Sequence, residues 1–304
     1  MSLEIWFKAL ADPTRLRILS LTLSRELNVQ ELMEVLSMGQ SRVSRHLRIL
    51  TDGGLLTCRR DGLWAFYRVP ADGAGRRFLD TVAPLLAGDP LLDQDRGHAA
   101  ELAAAGRGRA RKFFDALAPE WDRRKAELLG GSNLESEVLA RLPACEVAAD
   151  LGCGTGSLLA ALAAKAAKVI GVDSSPRMLA LARRACSSNR NVELRLGELE
   201  HLPLREQEAD AAVLNLVLHH LRLPVEGLRE AHRVLRPGGT LVLADLDRHQ
   251  DPELGERFGD RWPGFAADEL ESWLAEAGFK IANTRGLPLA RGLTARIITA
   301  RRKK

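Results

Sequence analysis

The sequence predicts an α/β chain in two domains: a small N-terminal domain of helices closed by a hairpin, and a larger C-terminal domain built on a mostly parallel sheet. Three observations carry this. The apolar run Val147-Ala148-Ala149-Asp150-Leu151 enters the glycine-rich turn Gly152-Cys153-Gly154-Thr155-Gly156, and the next apolar run ends in Asp173. Strand, loop, helix and a second strand ending in an acid about twenty residues on is the order of a βαβ unit with a ligand over its strand ends. Upstream, two short helical segments joined by a glycine-containing turn precede Asp61-Gly62, which lies between two β-rich runs. Finally, 304 residues is long for one compact domain,.

A chain that is 46% hydrophobic and 28% charged is globular in composition,. No run of eighteen apolar residues is present, so nothing is expected to span a membrane. The segment Met1 to Lys8 carries an early acid and lacks the apolar core of a secretion signal,. Cys58, Cys145, Cys153 and Cys186 show no C-x-x-C spacing, which points to reduced thiols, a cytoplasmic location and no metal site,.

Asp12-Pro13 opens a helix whose Leu16, Ile18, Leu19, Leu21 and Leu23 supply a core face,. Asn28 to Leu36 is a short helix, Ser37 to Gln40 a turn, and Ser41 to Leu50 a second helix with Val43, Leu47 and Leu50 inward, which together read as a helix-turn-helix,. The outward face is expected to carry Gln40, Ser41, Arg42, Ser44, Arg45 and His46, groups that reach phosphates and base edges,. Leu55 to Arg60 and Leu63 to Val69 pair across Asp61-Gly62, a strong hairpin signal, and set Arg59 and Arg60 beside its tip,. Residues 40–70 hold six basic side chains against two acids, an excess equal to the whole chain's +4. A positive stripe on one helix and one hairpin is the footprint of a double-stranded DNA-binding surface.

The strings Ala-Asp-Pro-Thr-Arg-Leu-Arg-Ile-Leu and Ser-Arg-Val-Ser-Arg-His-Leu-Arg-Ile-Leu, followed by Gly-Leu-Leu and the aromatic hairpin, resemble the ArsR-type winged-helix regulators over about residues 3–70. The resemblance implies a homodimer formed through the first and last helices of this domain, here Leu3 to Leu10 and Gly75 to Leu86, and a palindromic operator. Metal-sensing members carry Cys-x-Cys where this chain has Asn28-Val29-Gln30-Glu31-Leu32-Met33, so soft-metal sensing at that position is not expected,. The first domain is placed at residues 1–90, a linker with a helical part (His98 to Ala105) at 91–112, and the second domain at 113–304.

In the second domain the glycine spacing D-x-G-x-G-x-G departs from the dinucleotide fingerprint, whose third glycine would fall at Ser157,. It resembles motif I of the class I S-adenosylmethionine-dependent methyltransferases. A helix is expected from Ser157 to Ala167 and another from Arg177 to Cys186, with strands at Asn191–Leu196, Asp210–Asn215 and Leu241–Asp245. Two final strands, near Lys280–Thr284 and Leu293–Ala300, should pair antiparallel, and Arg301 to Lys304 read as a solubilising tail. The resemblance runs from about Phe113 to Arg301 and implies a Rossmann-like fold with a seven-stranded sheet. It also implies a site for S-adenosylmethionine or S-adenosylhomocysteine built from Asp150, Gly152, Gly154, Gly156, Asp173, Ser174, Met178, Gly197, Glu198, Leu199 and Asn215. Glu198 stands where relatives usually carry Asp at the adenine amino group. Phe113 to Asp122 resembles the segment that relatives fold over the cofactor as a lid; plain domain packing explains its aromatic residues equally well.

Specialised catalysis leaves little trace. Asn215-Leu216-Val217-Leu218 occupies the place where enzymes that methylate base amino groups carry an Asn/Asp-Pro-Pro-aromatic motif, and it offers neither an acid nor an aromatic ring. His219 and His220 are candidate bases, though such a pair also serves packing. Two functions therefore compete: a transcription regulator whose methyltransferase-like domain senses S-adenosylhomocysteine or S-adenosylmethionine, and a small-molecule methyltransferase with its own DNA-binding module. A nucleic-acid-modifying enzyme is a third, weaker reading. The fused architecture resembles the ArsR-type repressors that respond to S-adenosylhomocysteine (the SahR group), which favours the first.

Overall fold

The computed structural model describes residues 3–61 and 64–303, apart from the side chains of 60, 61, 64, 103–109 and 256. The chain divides into two compact units between Gly108 and Arg109.

In the first unit, α1 (Leu3–Leu10) and α2 (Pro13–Ser24) lead to a short strand β1 (Leu27–Asn28), then α3 (Val29–Leu36) and α4 (Gln40–Asp52). The hairpin is β2 (Thr57–Asp61) and β3 (Trp64–Arg68), and α5 (Gly73–Val82) follows. Local chemistry sets these boundaries. Asp12 caps α2 by accepting from the amides of Thr14 and Arg15, with Pro13 in the first turn, where its missing N–H costs nothing,. Asn28 and Glu31 form a reciprocal capping box at the start of α3, and Ser37 ends that helix in the left-handed conformation,. Leu19, Leu32, Val43, Leu47 and Leu50 interlock in one buried cluster. The hairpin pairs Asp61 with Trp64, while the expected turn residue Gly62 lies outside the described residues. The sequence did not reveal β1, which adds a third strand against β3.

The segment expected as a linker is helical instead: α6 runs from Pro90 to Leu117. Its early turns belong to the first unit. Leu92 and Ala99 are buried there, and Asp95, 3% exposed, accepts a two-pronged pair of bonds from Arg17 at 2.6 and 2.7 Å,. The first unit thus extends past residue 90, because this helix supplies part of its core.

The second unit continues with α7 (Trp121–Leu129), α8 (Leu134–Ala140), β4 (Cys145–Leu151), α9 (Leu159–Ala163), β5 (Ala166–Asp173), α10 (Pro176–Ala185), β6 (Val192–Leu196) and β7 (Ala209–Asn215). It closes with α11 (Pro224–Val234), β8 (Leu235–Leu246), α12 (Glu253–Phe258), α13 (Ala267–Glu276), β9 (Phe279–Pro288) and β10 (Thr294–Arg302). The seven strands lie in the order β6-β5-β4-β7-β8-β10-β9, parallel from β6 to β8 and antiparallel for β10 with both neighbours. The central strands are buried over several consecutive residues, as parallel strands covered on both faces must be,. Strand order reverses between β4 and β7, and ligands of open α/β sheets bind outside the strand ends at such a switch point,.

Two expectations need correction. The helix after the glycine turn is only Leu159–Ala163, because β5 already begins at Ala166 to pair with Cys145. Arg301 and Arg302 are not a tail: both lie in β10, and the Arg302 guanidinium donates to the carbonyls of His232, Arg233 and Leu235 at the end of α11. That staple satisfies carbonyls which a helix terminus leaves unpaired.

Gly75 on α5 supplies a test of the first unit's packing. A Cβ there would stand 2.1 Å from the carbonyl oxygen of Gly54. Gly75→Ala should therefore destabilise this unit by about 1–3 kcal/mol through overpacking, read as a drop of several degrees in its thermal transition.

Candidate functional site

The glycine turn hangs on a neighbouring strand. The amides of Gly152 and Cys153 both donate to the Val172 carbonyl of β5, at 2.8 and 2.9 Å. Gly152, Gly154 and Gly156 all have positive φ (84°, 53° and 90°), which L side chains rarely adopt,. Their surroundings differ. A Cβ on Gly152 would meet Val217 at 2.5 Å, and one on Gly156 would press on Ala182 and Leu159 at 3.1 Å. On Gly154 the nearest atom would be Nε1 of Trp121, at 3.5 Å. Gly152 and Gly156 are thus small for packing, whereas at Gly154 a Cβ would only touch the Trp121 ring, and the left-handed φ is what calls for glycine,.

Asp173, at the end of β5, accepts from Gly154 N–H through Oδ2 at 2.9 Å and from Ser175 N–H through Oδ1 at 2.8 Å. Burial raises its pKa, and these backbone donors work against that,. Ser174, beside it, is half-buried. Ser175 caps α10 by accepting from the Met178 amide at 3.0 Å and donates its own hydroxyl proton to Asp115 at 2.6 Å. Met178 is 2% exposed, on the buried side of α10.

Asp150 is buried inside β4 beneath the turn. Burial pushes its carboxyl up to about 7; Lys125 opposes that rise, while Asp173 and Glu135 add to it. Above the turn lies α7. Thr155 donates to Asp122 at 2.5 Å, and Lys125 donates to Glu135 and Ser157 at 2.6 and 2.9 Å. Of the segment Phe113 to Asp122, Trp121 and Asp122 thus lie against the turn, while Phe113 packs on Gly259.

The other expected residues fall in two groups. Leu199 is buried and would lie 3.5 Å from a Cβ on Gly152, so it reaches the turn. Asn215 ends β7 beside β4, and its Oδ1 is buried without a hydrogen-bond partner. The next residue, Leu216, holds a left-handed φ of 56°, strain of the kind that concentrates at functional sites,. Gly197 is explained by packing, since a Cβ would strike Pro203 at 2.4 Å. Glu198 forms an isolated bridge with His201.

The histidine pair sits deeper than its sequence suggested. His219 Nδ1 lies 2.5 Å from Asp245 Oδ1, and Asp245 Oδ2 accepts from the Leu218 amide at 2.8 Å. His219 Nε2 faces Asp260 at 3.4 Å. Burial disfavours the charge on His219, but Asp245 and Asp260 outweigh it and push its pKa up to about 9. His220 goes the other way: burial and the His219 charge hold it well below the usual value, so it is neutral. Among the described residues, neither ring nitrogen of His220 has a well-formed hydrogen bond, although the Gly259 backbone lies near enough to favour its charged form, and Asp260 Oδ1 has none either. Phe114 packs edge-on against His220 at 4.9 Å and Trp121 at 6.3 Å. The strand exit that offered neither acid nor ring in sequence thus receives two acids and two aromatic rings from distant segments. Asp260 escaped sequence reading because only the fold of the α12–α13 connection brings it to the histidines.

On α4, Gln40, Ser41, Arg42 and Arg45 are exposed and Ser44 is half-buried. His46 departs from its expected place: it turns toward Asp12, 3.7 Å from that carboxylate, and is not on the outward face. Arg59 pairs with Glu26 at 2.9 Å and lies over the Phe66 ring, because β1 and the α2 end approach the hairpin there. The Arg60 side chain lies outside the described residues.

The Asp150 environment predicts a pH dependence. A carboxyl whose folded pKa is raised above its unfolded value contributes stability at low pH that is lost as pH rises through the folded pKa. Between pH 5 and 7 the chain should lose roughly 2–3 kcal/mol from this group, levelling off above about 7,. Asp150→Asn should lack this slope, as measured by denaturant unfolding across the same range.

Comparison with known proteins agrees with both units. Residues 12–57 match the bacterial regulatory protein, arsR family, and residues 149–243 match the methyltransferase domain family. An uncharacterised 37.1 kDa protein in transposon TN4556 of Streptomyces fradiae is 45% identical over 105 residues, 34% of this chain and 30% of that protein. The arsenite methyltransferase of Halobacterium salinarum is 33% identical over 148 residues, 44% of this chain and 37% of its own length. The chain thus spans under two fifths of these two relatives. Among solved structures, a chain from the complex of the Haloferax volcanii Trm112 methyltransferase activator with a methyltransferase superposes with a TM-score of 0.54 at 21% identity, over 63% of this chain and 98% of that one. The chain carries an arsR-type helix-turn-helix followed by a methyltransferase domain of Rossmann-like fold.

Proposed function

We propose that this chain is a DNA-binding transcription regulator, a repressor, whose methyltransferase domain binds S-adenosylhomocysteine or S-adenosylmethionine and couples its occupancy to the operator. One observation carries the ligand half. At the switch point, the ends of the adjacent strands β5, β4 and β7 bring the Asp173 carboxylate, the turn with Gly154 and the orphaned Asn215 Oδ1 to one edge of the sheet. A buried acceptor without a donor calls for one, and a left-handed glycine lets backbone come close to a ligand where a side chain would stand in the way. These residues fit an adenosyl ligand: Asp173 would hold the ribose hydroxyls, Leu199 would lie against the base, and Asp150 would face the amino-acid end. Glu198 would reach toward the adenine amino group. When bound, the sulfonium form supplies a transferable methyl group.

The DNA half rests on α4, whose exposed Gln40, Ser41, Arg42 and Arg45 suit a major groove,. Leu3, Ile5 and Phe7 of α1 are 58%, 45% and 60% exposed, while Trp6 and Phe78 stack between α1 and α5. An apolar face left open on that pair favours a homodimer, hence a palindromic operator with half-sites one helical turn or a multiple apart. On the resemblance to the S-adenosylhomocysteine-responsive repressors, the genes controlled would be those of the methyl cycle.

The aromatic rings and acids around the strand exit can accommodate a sulfonium as well as a neutral thioether. They also favour a second reading, a small-molecule methyltransferase. His220 is a neutral, unpartnered base beneath Phe114 and Trp121, positioned to take a proton from an acceptor,.

The regulator reading is tested with upstream fragments of the source genome. The chain should select a palindromic site, Arg45→Ala should weaken that complex, and adding the adenosyl ligand should release it. Asp173→Ala should weaken the ligand by roughly 1.5–3 kcal/mol, ten-fold or more, and so blunt the release. No preference for any fragment, or complexes indifferent to both ligands, would leave the enzyme reading in its place.

A further inference from the structure

We propose that His219, His220 and Asp260 form a binding site for one divalent first-row transition cation. This goes beyond the regulator reading and does not depend on it.

The donor atoms are already gathered. His219 Nε2 lies 3.4 Å from Asp260 Oδ1, His220 Nδ1 lies 3.6 Å from the same oxygen, and one atom from each residue falls within 4.8 Å of the others. A tetrahedral ion with ligand bonds of 2.0–2.1 Å sets its donors about 3.3 Å apart, so small side-chain rotations would close the set. Two donors are also idle. Asp260 Oδ1 and both nitrogens of His220 are buried without hydrogen-bond partners, on side chains only 4% and 9% exposed. Buried polar atoms are nearly always satisfied, and Asp260 Oδ1 and His220 Nδ1, both orphaned and 3.6 Å apart, mark a missing partner that accepts lone pairs,. His219 Nε2 offers a third lone pair beside them once its proton leaves, and a cation can take one from each residue.

The surroundings have the form of a metal site's outer shell. Asp245 holds His219 by Nδ1 at 2.5 Å, which leaves Nε2 as the ligating nitrogen,. Asp245 is itself fixed by the amides of Leu218 and Leu246, both at 2.8 Å. The carbonyl of His219 accepts from the amides of Arg261 and Trp262, which anchors the Asp260 segment to the histidines. Two imidazoles and one carboxylate are the donors of zinc and of ferrous iron, and three protein ligands leave a coordination position open. The cluster lies directly after β7, under Phe114 and Trp121, so a cation's open position would serve the cleft, for water or for an acceptor's oxygen or sulfur atom.

The test uses the full chain stripped with a chelator, then titrated with cobalt(II) and, in competition, zinc(II). One equivalent of cobalt per chain should give the visible d–d absorption of a low-symmetry bound ion, and zinc should abolish it. His220→Ala and Asp260→Asn should each weaken binding ten-fold or more, while His201→Ala, at an exposed histidine elsewhere on the same unit, should not. Both variants remove buried contacts, of His219 or of the aromatic rings, so each should unfold at a lower temperature than the wild type but cooperatively, with unchanged far-ultraviolet circular dichroism at the titration temperature,. That control separates lost binding from lost fold. Absence of the band, or equal affinity in the wild type and both variants, would overturn the site and leave the cluster as a proton-filled ion pair.

Discussion

The carboxylate of Asp173 is the contact that holds the glycine turn of the second unit in place. It accepts the Gly154 amide from one side and the Ser175 amide from the other. It therefore fixes the glycine turn relative to the start of α10, and it does so at the strand end where the sheet order turns back. Because both bonds go to backbone, the geometry survives changes in the side chains around it. The same arrangement keeps Gly154 at positive φ, with the Trp121 ring as the nearest neighbour of the missing Cβ. Asp150 beneath and α7 above then close the turn on two sides.

A second constraint lies one strand away. Burying two carboxylates and two imidazoles is costly unless each charge meets its opposite. Here Asp245 and Asp260 flank His219, whose charge they hold, while His220 stays neutral against the aromatic rings. The two constraints meet at β7: its exit residue Leu216 is forced to positive φ, Val217 covers Gly152, and the histidines follow at once. A strained exit joins the glycine turn to the polar cluster within five residues of chain.

Much of this could be read before any fold was known, for reasons that differ by residue. The glycine turn, Asp173 and the helix-turn-helix were legible because each is local: turn chemistry, caps and period are written in neighbouring residues. Asp12 with Pro13 announced its helix in this way. What was missed came from distant partners. Asp260 reaches the histidines from 40 residues on, Phe114 reaches them from a hundred residues back, and neither approach has a sequence period. His46 was misplaced because an exposed position on α4 was inferred from polarity alone, whereas Asp12 draws the ring inward. Arg302 looked like a tail because its role, satisfying carbonyls at the end of α11, depends on β10 running beside β8. The segment 91–112 looked like a linker because its composition is poor in large apolar residues; Leu92, Ala99 and the Arg17–Asp95 pair suffice to dock its first turns.

The central claim is that the adenosyl cleft and the DNA face are coupled, and linkage makes that measurable from the ligand side. Calorimetric titration of S-adenosylhomocysteine and S-adenosylmethionine into the full chain, with and without saturating operator DNA, tests it most directly. The account predicts binding of at least one ligand, and an affinity lower by about five- to a hundred-fold when the operator is bound. Equal affinity in the two titrations would contradict it, and would leave two independent activities on one chain.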